Sequence, residues 1–141
     1  MNTRILIATV VSMFLCQHVY AQDEDNPRFA EETDLELMQG TWELERITIG
    51  CTTIPLCRFE DNRMCFSFGD DRGWGGNHTF SVTESAMPAE IDYAGTRGIY
   101  ELDGDSLMIC TNRNFRPDRF ESTTDYPTVL WVLRRVEEDD E

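Results

Sequence analysis

The stretch from Gly98 to Cys110, GIYELDGDSLMIC, decides the fold class of this chain. Apolar side chains recur on both sides of Asp103-Gly104, and Leu107 and Ile109 share one strand face. An Asp-Gly pair signals a tight hairpin turn, because glycine tolerates a positive φ. The stretch therefore predicts two antiparallel strands, at about 97–102 and 106–112.

The same two-residue period continues outward from this hairpin. It predicts further strands at about 41–49, 63–69, 77–83, 89–94, 118–123 and 128–136. In the first of these, Trp42 and Leu44 share a face but Ile47 falls on the other, which predicts a bulge near Glu45-Arg46. Eight short strands joined by hairpins predict an all-β antiparallel up-and-down barrel, because closing the sheet removes exposed strand edges.

One short helix is predicted ahead of the strands. Thr33-Asp34-Leu35-Glu36 has the spacing of a capping box, in which the Thr33 hydroxyl and the Glu36 carboxylate satisfy first-turn amides. Gly40 supplies a stop, so the helix should extend for one or two turns.

The two ends of the chain differ in composition from its middle. Arg4, an apolar run at 5–15 and small residues up to Ala21 are typical of a signal peptide over 1–21 that is cleaved after Ala21. Residues 22–32 are predicted to be a flexible acidic lead-in, 33–136 the barrel domain and 137–141 an acidic tail. We therefore expect an exported protein, periplasmic or secreted, whose mature chain has no membrane span.

Charge excludes several classes of function. The 141 residues contain 27 acidic and 12 basic residues, for a net charge of −15, and every basic residue is arginine. Such an acidic chain is repelled by nucleic acids, and the lack of lysine excludes Schiff-base and P-loop chemistry. A hydrophobic content of 40% is nevertheless sufficient for a buried core.

Four cysteines lie beyond the predicted signal peptide: Cys51, Cys57, Cys65 and Cys110. An even number in an oxidising compartment favours disulfides. The short loop between Cys51 and Cys57 makes them the easiest pair to join, whereas Cys65 and Cys110 either pair or remain as small buried hydrophobes. The absence of a C-x-x-C spacing, with His78 as the only histidine beyond the signal peptide, argues against zinc.

Three segments together resemble the lipocalin-like domains of planctomycete proteins: residues 37–44 (LMQGTWEL), 98–110, and 128–135 (TVLWVLRR). The resemblance extends over residues 35–136 and implies a lipocalin-like fold and an exported bacterial protein, in a largely uncharacterised family. It also implies that Trp42, close to Gly40, plugs one end of the barrel beneath Arg134 or Arg135. Guanidinium stacking on indole combines apolar contact with a cation–π attraction.

The barrel interior is the candidate ligand site. An eight-stranded barrel holds one small apolar molecule or is filled by its own side chains. The aromatic residues expected to face inward, which either line a pocket or form packed core, are Phe66, Phe68, Phe80, Tyr93, Tyr100, Phe120 and Trp131. Trp74, between glycines in a predicted loop, either contacts a ligand or partner or folds back over the barrel end.

Catalysis is not expected. His78 has no nucleophile motif near it and is predicted to be an exposed histidine without a catalytic role. Glu90 and Asp92 share a strand face, but adjacent carboxylates are common in so acidic a chain. We therefore predict a non-enzymatic protein that binds a small apolar ligand without cofactor or metal. The alternative is a structural or protein-interaction module of the cell envelope with a filled barrel.

Overall fold

The computed structural model describes residues 31–48, 56–67 and 73–138. The chain divides into the units Met1–Glu31 and Glu32–Glu141, and apart from Glu31 the described residues belong to the second. The predicted signal peptide, most of the acidic lead-in and the last three residues of the acidic tail lie outside the described residues. The ligand-site candidate Phe68 and the disulfide candidate Cys51 lie outside them too.

The predicted helix is confirmed as α1, Asp34–Met38. The Thr33 amide donates to Glu36 Oε2 at 2.8 Å, and the Glu36 amide donates to Thr33 Oγ1 at 3.3 Å, so both halves of the capping box form. Gln39 is the C-cap of the helix, and Gly40 then turns the chain into the first strand with a φ of +113°, a conformation that favours glycine.

Eight antiparallel strands close into a barrel in sequence order, which confirms the predicted fold class. The alternation of buried and exposed positions gives each strand one face for the interior and one for the exterior. The strands are β1 (Gly40–Ile47), β2 (Leu56–Glu60), β3 (Arg63–Ser67), β4 (Trp74–Thr83), β5 (Glu90–Tyr93), β6 (Thr96–Asp103), β7 (Ser106–Asn112) and β8 (Val129–Arg135).

The seam between the first and last strands contains the predicted bulge. Trp42 pairs with Arg135 and Leu44 with Leu133, after which the register shifts and Arg46 pairs with Val132. The extra residue in β1 is Glu45, as the change of hydrophobic parity predicted. The bulge keeps Leu44 and Ile47 both packed on the core.

One predicted strand is wrong and one strand was missed. Residues 118–123 form no strand, because their backbone bonds are local: the Glu121 amide donates to Arg119 O, and the Thr123 amide donates to Tyr126 O. The missed strand is β2, in which Cys57 and Phe59 face inward between half-buried Arg58 and exposed Glu60. The other seven predicted strands occur within about three residues of their expected bounds.

The core fills the end of the barrel next to α1, which we call the capped end. Met38 and Trp42 are fully buried there, and Phe59 packs edge-on against Phe80 with ring centroids 5.1 Å apart. Residues 113–128, the outer loop, run from β7 to β8 on the outside of the sheet. Cys110 is fully buried beneath this loop, with its Sγ 3.8 Å from Glu121 O.

Candidate functional site

A cavity of about 440 Å³ lies at the opposite end of the barrel, which we call the cavity end. The carboxyl ends of β5 and β7 and the amino ends of β6 and β8 meet there. Its lining combines aromatic, hydroxyl and amide side chains with one arginine. The lining residues are His78, Tyr93, Ala94, Thr96, Thr111, Asn112, Arg113, Asn114, Pro127, Val129 and Trp131.

The rim of the cavity is held in place by Asn112, the last residue of β7. Its Nδ2 donates to Pro127 O at 2.8 Å, and its Oδ1 accepts from the Asn114 amide at 2.7 Å. A further bond from the Phe115 amide at 3.3 Å completes the turn. The Asn112 side chain therefore fastens the start of the outer loop to Pro127 at the rim of the cavity.

Trp131 forms part of the cavity wall. It is 9% exposed and faces inward from β8, with its ring 5.5 Å from that of Phe66. Its Nε1 is buried and has no hydrogen-bond partner among the described residues. An unpartnered buried donor is unusual in a folded protein.

His78 is not the exposed histidine that the sequence predicted. It is half-buried, lines the cavity, and lies 6.2 Å from the Phe66 ring between centroids. The sequence could have placed His78 in the interior, because His78, Phe80 and Val82 alternate along β4 on the face that points inward.

Tyr93 places a phenol in the same wall. Burial raises the pKa of Tyr93, and a hydrogen bond with Thr111 and the charge of Arg113 oppose that rise. Arg113 itself is exposed at the rim of the cavity.

The lining contains no aspartate or glutamate in the part of the chain described, although the chain has 27 acidic residues. The carboxylates nearest in sequence, Glu90 and Asp92, serve the outer loop instead. Arg116 lies 3.5 Å from Glu90 Oε2 and 2.9 Å from Asp92 Oδ1, and it also donates to Gly98 O at 2.7 Å. The two carboxylates are therefore occupied by an arginine that fastens the loop to the outside of the sheet.

The aromatic residues predicted to line a pocket separate into groups. Tyr93 and Trp131 line the cavity, and Phe66 lies in the core behind it, against the rings of His78 and Trp131. Phe80 lies in the packed core. Tyr100 lies at the capped end, where its hydroxyl donates to Asp34 Oδ2 at 2.6 Å.

Phe120 does not face the barrel interior, contrary to the prediction. It belongs to the outer loop, because the strand expected at 118–123 does not form.

The residues that sequence reasoning missed are mainly polar. Thr111 shares the inward parity of Leu107 and Ile109, so an alternation count that ignored polarity would have found it.

At the capped end, Arg135 is the arginine that covers Trp42. Its guanidinium carbon lies 4.3 Å from the indole centroid, and its Nη1 donates to Gln39 O at 2.7 Å. Gly40 lies directly beneath this guanidinium, and its φ of +113° is the feature that favours glycine there. Arg134 points outward and pairs with Glu45 at 2.8 Å.

Trp74 is the first residue of β4 and is 37% exposed. The guanidinium carbon of Arg58, on β2, lies 4.1 Å from its ring centroid. Trp74 pairs in register with Ser67, the last residue of β3. The indole is therefore held on the barrel surface by an arginine, and part of it remains accessible.

The described cysteines Cys57, Cys65 and Cys110 are free thiols. Cys110 is a small buried hydrophobe, which was one of the two interpretations of its position, and it is not joined to Cys65. Cys57 faces the interior, and burial strongly raises the pKa of its thiol, which keeps it protonated.

Within residues 31–48, 56–67 and 73–138, no cluster of three or more His, Cys, Asp or Glu side chains is arranged to hold a metal ion. Among the same residues, no helix has the length and apolar character needed to cross a bilayer. Comparison with protein-family models, curated proteins and solved structures finds no match to this chain.

Proposed function

We propose that this chain is an exported, lipocalin-like, non-enzymatic domain that binds a small, mainly apolar molecule at the cavity end of its barrel. The observation that carries the proposal is the cavity of about 440 Å³, lined by inward-facing side chains of the strands and by residues of the adjoining loops. Ligand pockets are commonly about 300–1,000 Å³, lined by apolar and aromatic groups with a few polar ones.

The division of the barrel into two ends supports binding. Met38, Trp42, Phe59 and Leu133 pack the capped end to between 0 and 1% exposure. The space that remains lies at the other end, bordered by Val129 and Trp131. The capped end is therefore tightly packed, and the cavity end has room for a ligand.

The likeness of residues 37–44, 98–110 and 128–135 to planctomycete lipocalin-like domains supports the family assignment and the export. A closed ring of eight strands with Arg135 over Trp42 is compatible with that family. N-terminal sequencing of the secreted protein tests the export: a mature chain starting at Gln22 is expected, and a chain retained in the cytoplasm would contradict it.

A neutral fluorescent probe tests the binding. N-phenyl-1-naphthylamine should bind to the folded protein at one equivalent, with a rise in emission. Thr96→Trp, which places an indole in the cavity lining, should weaken this binding at least tenfold. Thr83→Trp makes the same change at an exposed position near the capped end and is the matched control. Equal binding by all three proteins would place the probe elsewhere and defeat the proposal.

The second candidate function is an interaction module of the cell envelope, and it is favoured by one observation. Trp74 presents a partly exposed indole under Arg58 on the outside of the barrel. Tryptophan and arginine are the residues most enriched at interaction hot spots. A purified envelope partner that loses affinity for Trp74→Ala, but not for Thr96→Trp, would favour this function over ligand binding.

A further inference from the structure

His78 is the one histidine beyond the predicted signal peptide, and it lines the cavity. It faces inward from β4, opposite Met64 of β3, and its ring centroid lies 6.2 Å from that of Phe66. Its Nε2 lies beside Gly76, where an added Cβ would be 3.3 Å away. The half-buried imidazole is therefore part of the cavity wall, and its two neighbours from β3 carry no titratable group.

The imidazole is the group in the described lining whose type changes charge between pH 5 and 8. Burial raises the pKa of Tyr93, so that phenol stays neutral over this range. The guanidinium of Arg113 at the rim stays positive. Cys57 faces the interior from β2, and burial raises the pKa of its thiol, which stays protonated. The lining residues from β8 are uncharged.

A proton on His78 would add a second positive charge to a wall that already has Arg113 at its rim. The described lining residues include no aspartate or glutamate that could pair with it. Water that enters the cavity hydrates such a charge, but an apolar ligand displaces that water and leaves the charge without compensation. Protonation of the imidazole and binding of an uncharged ligand therefore oppose each other.

We propose that His78 makes the ligand selectivity of the cavity depend on pH, and this inference rests on the ligand-binding function proposed above. An uncharged ligand binds while the imidazole is neutral and is released as the imidazole gains a proton. A negatively charged ligand shows the opposite dependence, because the protonated imidazole attracts it. Acid therefore changes which kind of ligand the cavity prefers.

Two fluorescent probes with the same arylaminonaphthalene body test this dependence. N-phenyl-1-naphthylamine is uncharged between pH 5 and 8, whereas 8-anilinonaphthalene-1-sulfonate carries one negative charge over the same range. Between pH 8 and pH 5, the dissociation constant of the uncharged probe should rise by about fivefold or more. The dissociation constant of the sulfonate should fall.

Two variants assign the dependence to the imidazole. His78→Gln keeps a polar side chain and His78→Phe keeps a ring beside Phe66, and neither new side chain gains a proton. In both variants, the affinity for the uncharged probe should change by less than about twofold between pH 8 and pH 5. Adding Thr79→His to His78→Gln returns an imidazole to β4 at an exposed position on its outer face, and it should not restore the dependence.

The imidazole itself provides a direct readout. The secreted protein is expected to contain one histidine, so its ring C–H signal in an NMR spectrum needs no further assignment. Because the coupling between ligand and proton is reciprocal, saturating N-phenyl-1-naphthylamine should move the titration of this signal to lower pH. The sulfonate should move it to higher pH. A histidine that only packs the wall would show neither shift.

The outcomes distinguish this inference from the function beneath it. Equal affinity for the uncharged probe at pH 5 and pH 8, with a loss on Thr96→Trp, would leave the cavity as a ligand site and overturn the role of His78. A dependence that survives in both His78→Gln and His78→Phe would also overturn it. Failure of both probes to bind at either pH would defeat the ligand-binding function together with this inference.

Discussion

Arg135 lies over the indole of Trp42, 4.3 Å from the ring centroid, and ties the last strand of the barrel to the helix that precedes the first. Its Nη1 donates to Gln39 O at 2.7 Å, and its Nη2 donates to Leu37 O. These are carbonyls at the end of α1, where the helix leaves acceptors without intrahelical partners. One guanidinium therefore stacks on the plug of the barrel and caps the helix above it.

Removing this guanidinium should destabilise the fold. Arg135→Gln is expected to lower the free energy of unfolding by about 2–3 kcal/mol, from the lost stacking and the lost charged hydrogen bonds. Urea denaturation followed by tryptophan fluorescence measures it. Arg134→Gln is the control: that side chain is 68% exposed and forms a surface ion pair with Glu45, so a loss within about 0.5 kcal/mol is expected. Equal losses in the two variants would refute a special role for the stack.

Gly98 should not tolerate a methyl group. A Cβ there would lie 2.7 Å from Thr111 Cγ2 and 2.9 Å from Cys110 O, closer than real contacts allow. Gly98→Ala should therefore cost about 1–3 kcal/mol through overpacking, measured by thermal and urea unfolding. Adding Thr111→Ser removes the contacting methyl, so the double variant should recover part of the loss. Strict additivity of the two changes would show that the clash lies elsewhere.

Alkaline pH should destabilise the barrel through its buried tyrosines. Burial, followed by the hydrogen bond with Asp34, raises the pKa of Tyr100 above its usual value near 10, and burial also raises that of Tyr93. Above pH 10 the tyrosines ionise more readily in the unfolded chain than in the folded one, so stability, complete below pH 10, falls as the pH rises. Each tyrosine contributes a slope of up to about 1.4 kcal/mol per pH unit.

Tyr100→Phe should reduce that slope, measured as urea unfolding at intervals from pH 8.5 to 11.5. The variant is less stable at pH 8.5, because the bond to Asp34 is lost, so the comparison rests on the slope. A slope unchanged from wild type would mean that Tyr100 does not hold its proton in the folded state.

Arg116 should control the mobility of the outer loop. It donates to Gly98 O and Asp92 across the outside of β5 and β6. Arg116→Gln should cost about 1–2 kcal/mol and raise the hydrogen exchange of residues 113–128. Arg119, in the same loop, contacts Asp118, Glu121 and Tyr126, all within the loop, so Arg119→Gln should raise the exchange of residues 113–128 less than Arg116→Gln does. A loop equally protected in both variants would contradict the role assigned to Arg116.

Features that depend on residues close together in the sequence were predictable from it. The Thr33–Glu36 capping box and the Asp103-Gly104 turn are local, and the parity change between Leu44 and Ile47 was sufficient to place the bulge. The missed strand β2 also carries an alternation, Cys57 and Phe59 against Arg58 and Glu60. The proximity of Cys51, Pro55 and Cys57 favoured a loop interpretation over that pattern.

The cavity was less accessible to sequence reasoning, because it depends on which residues meet across strands. The sequence predicts aromatic side chains in the interior without separating pocket lining from packed core, and the structure places Phe80 and Tyr100 in packed core. The space at the cavity end is bordered instead by Thr96, Thr111 and the rim around Arg113. Nothing in the local sequence indicates that the loop after Asn112 folds back to form that rim.

The pairing of β1 with β8 joins residues from opposite ends of the domain: Arg135 bonds Gln39 from 96 positions away. During synthesis, β1 therefore cannot pair with β8, and the barrel cannot close, until β8 has left the ribosome. Until then β1 and β7 both present unpaired backbone to their surroundings, which invites association with other chains.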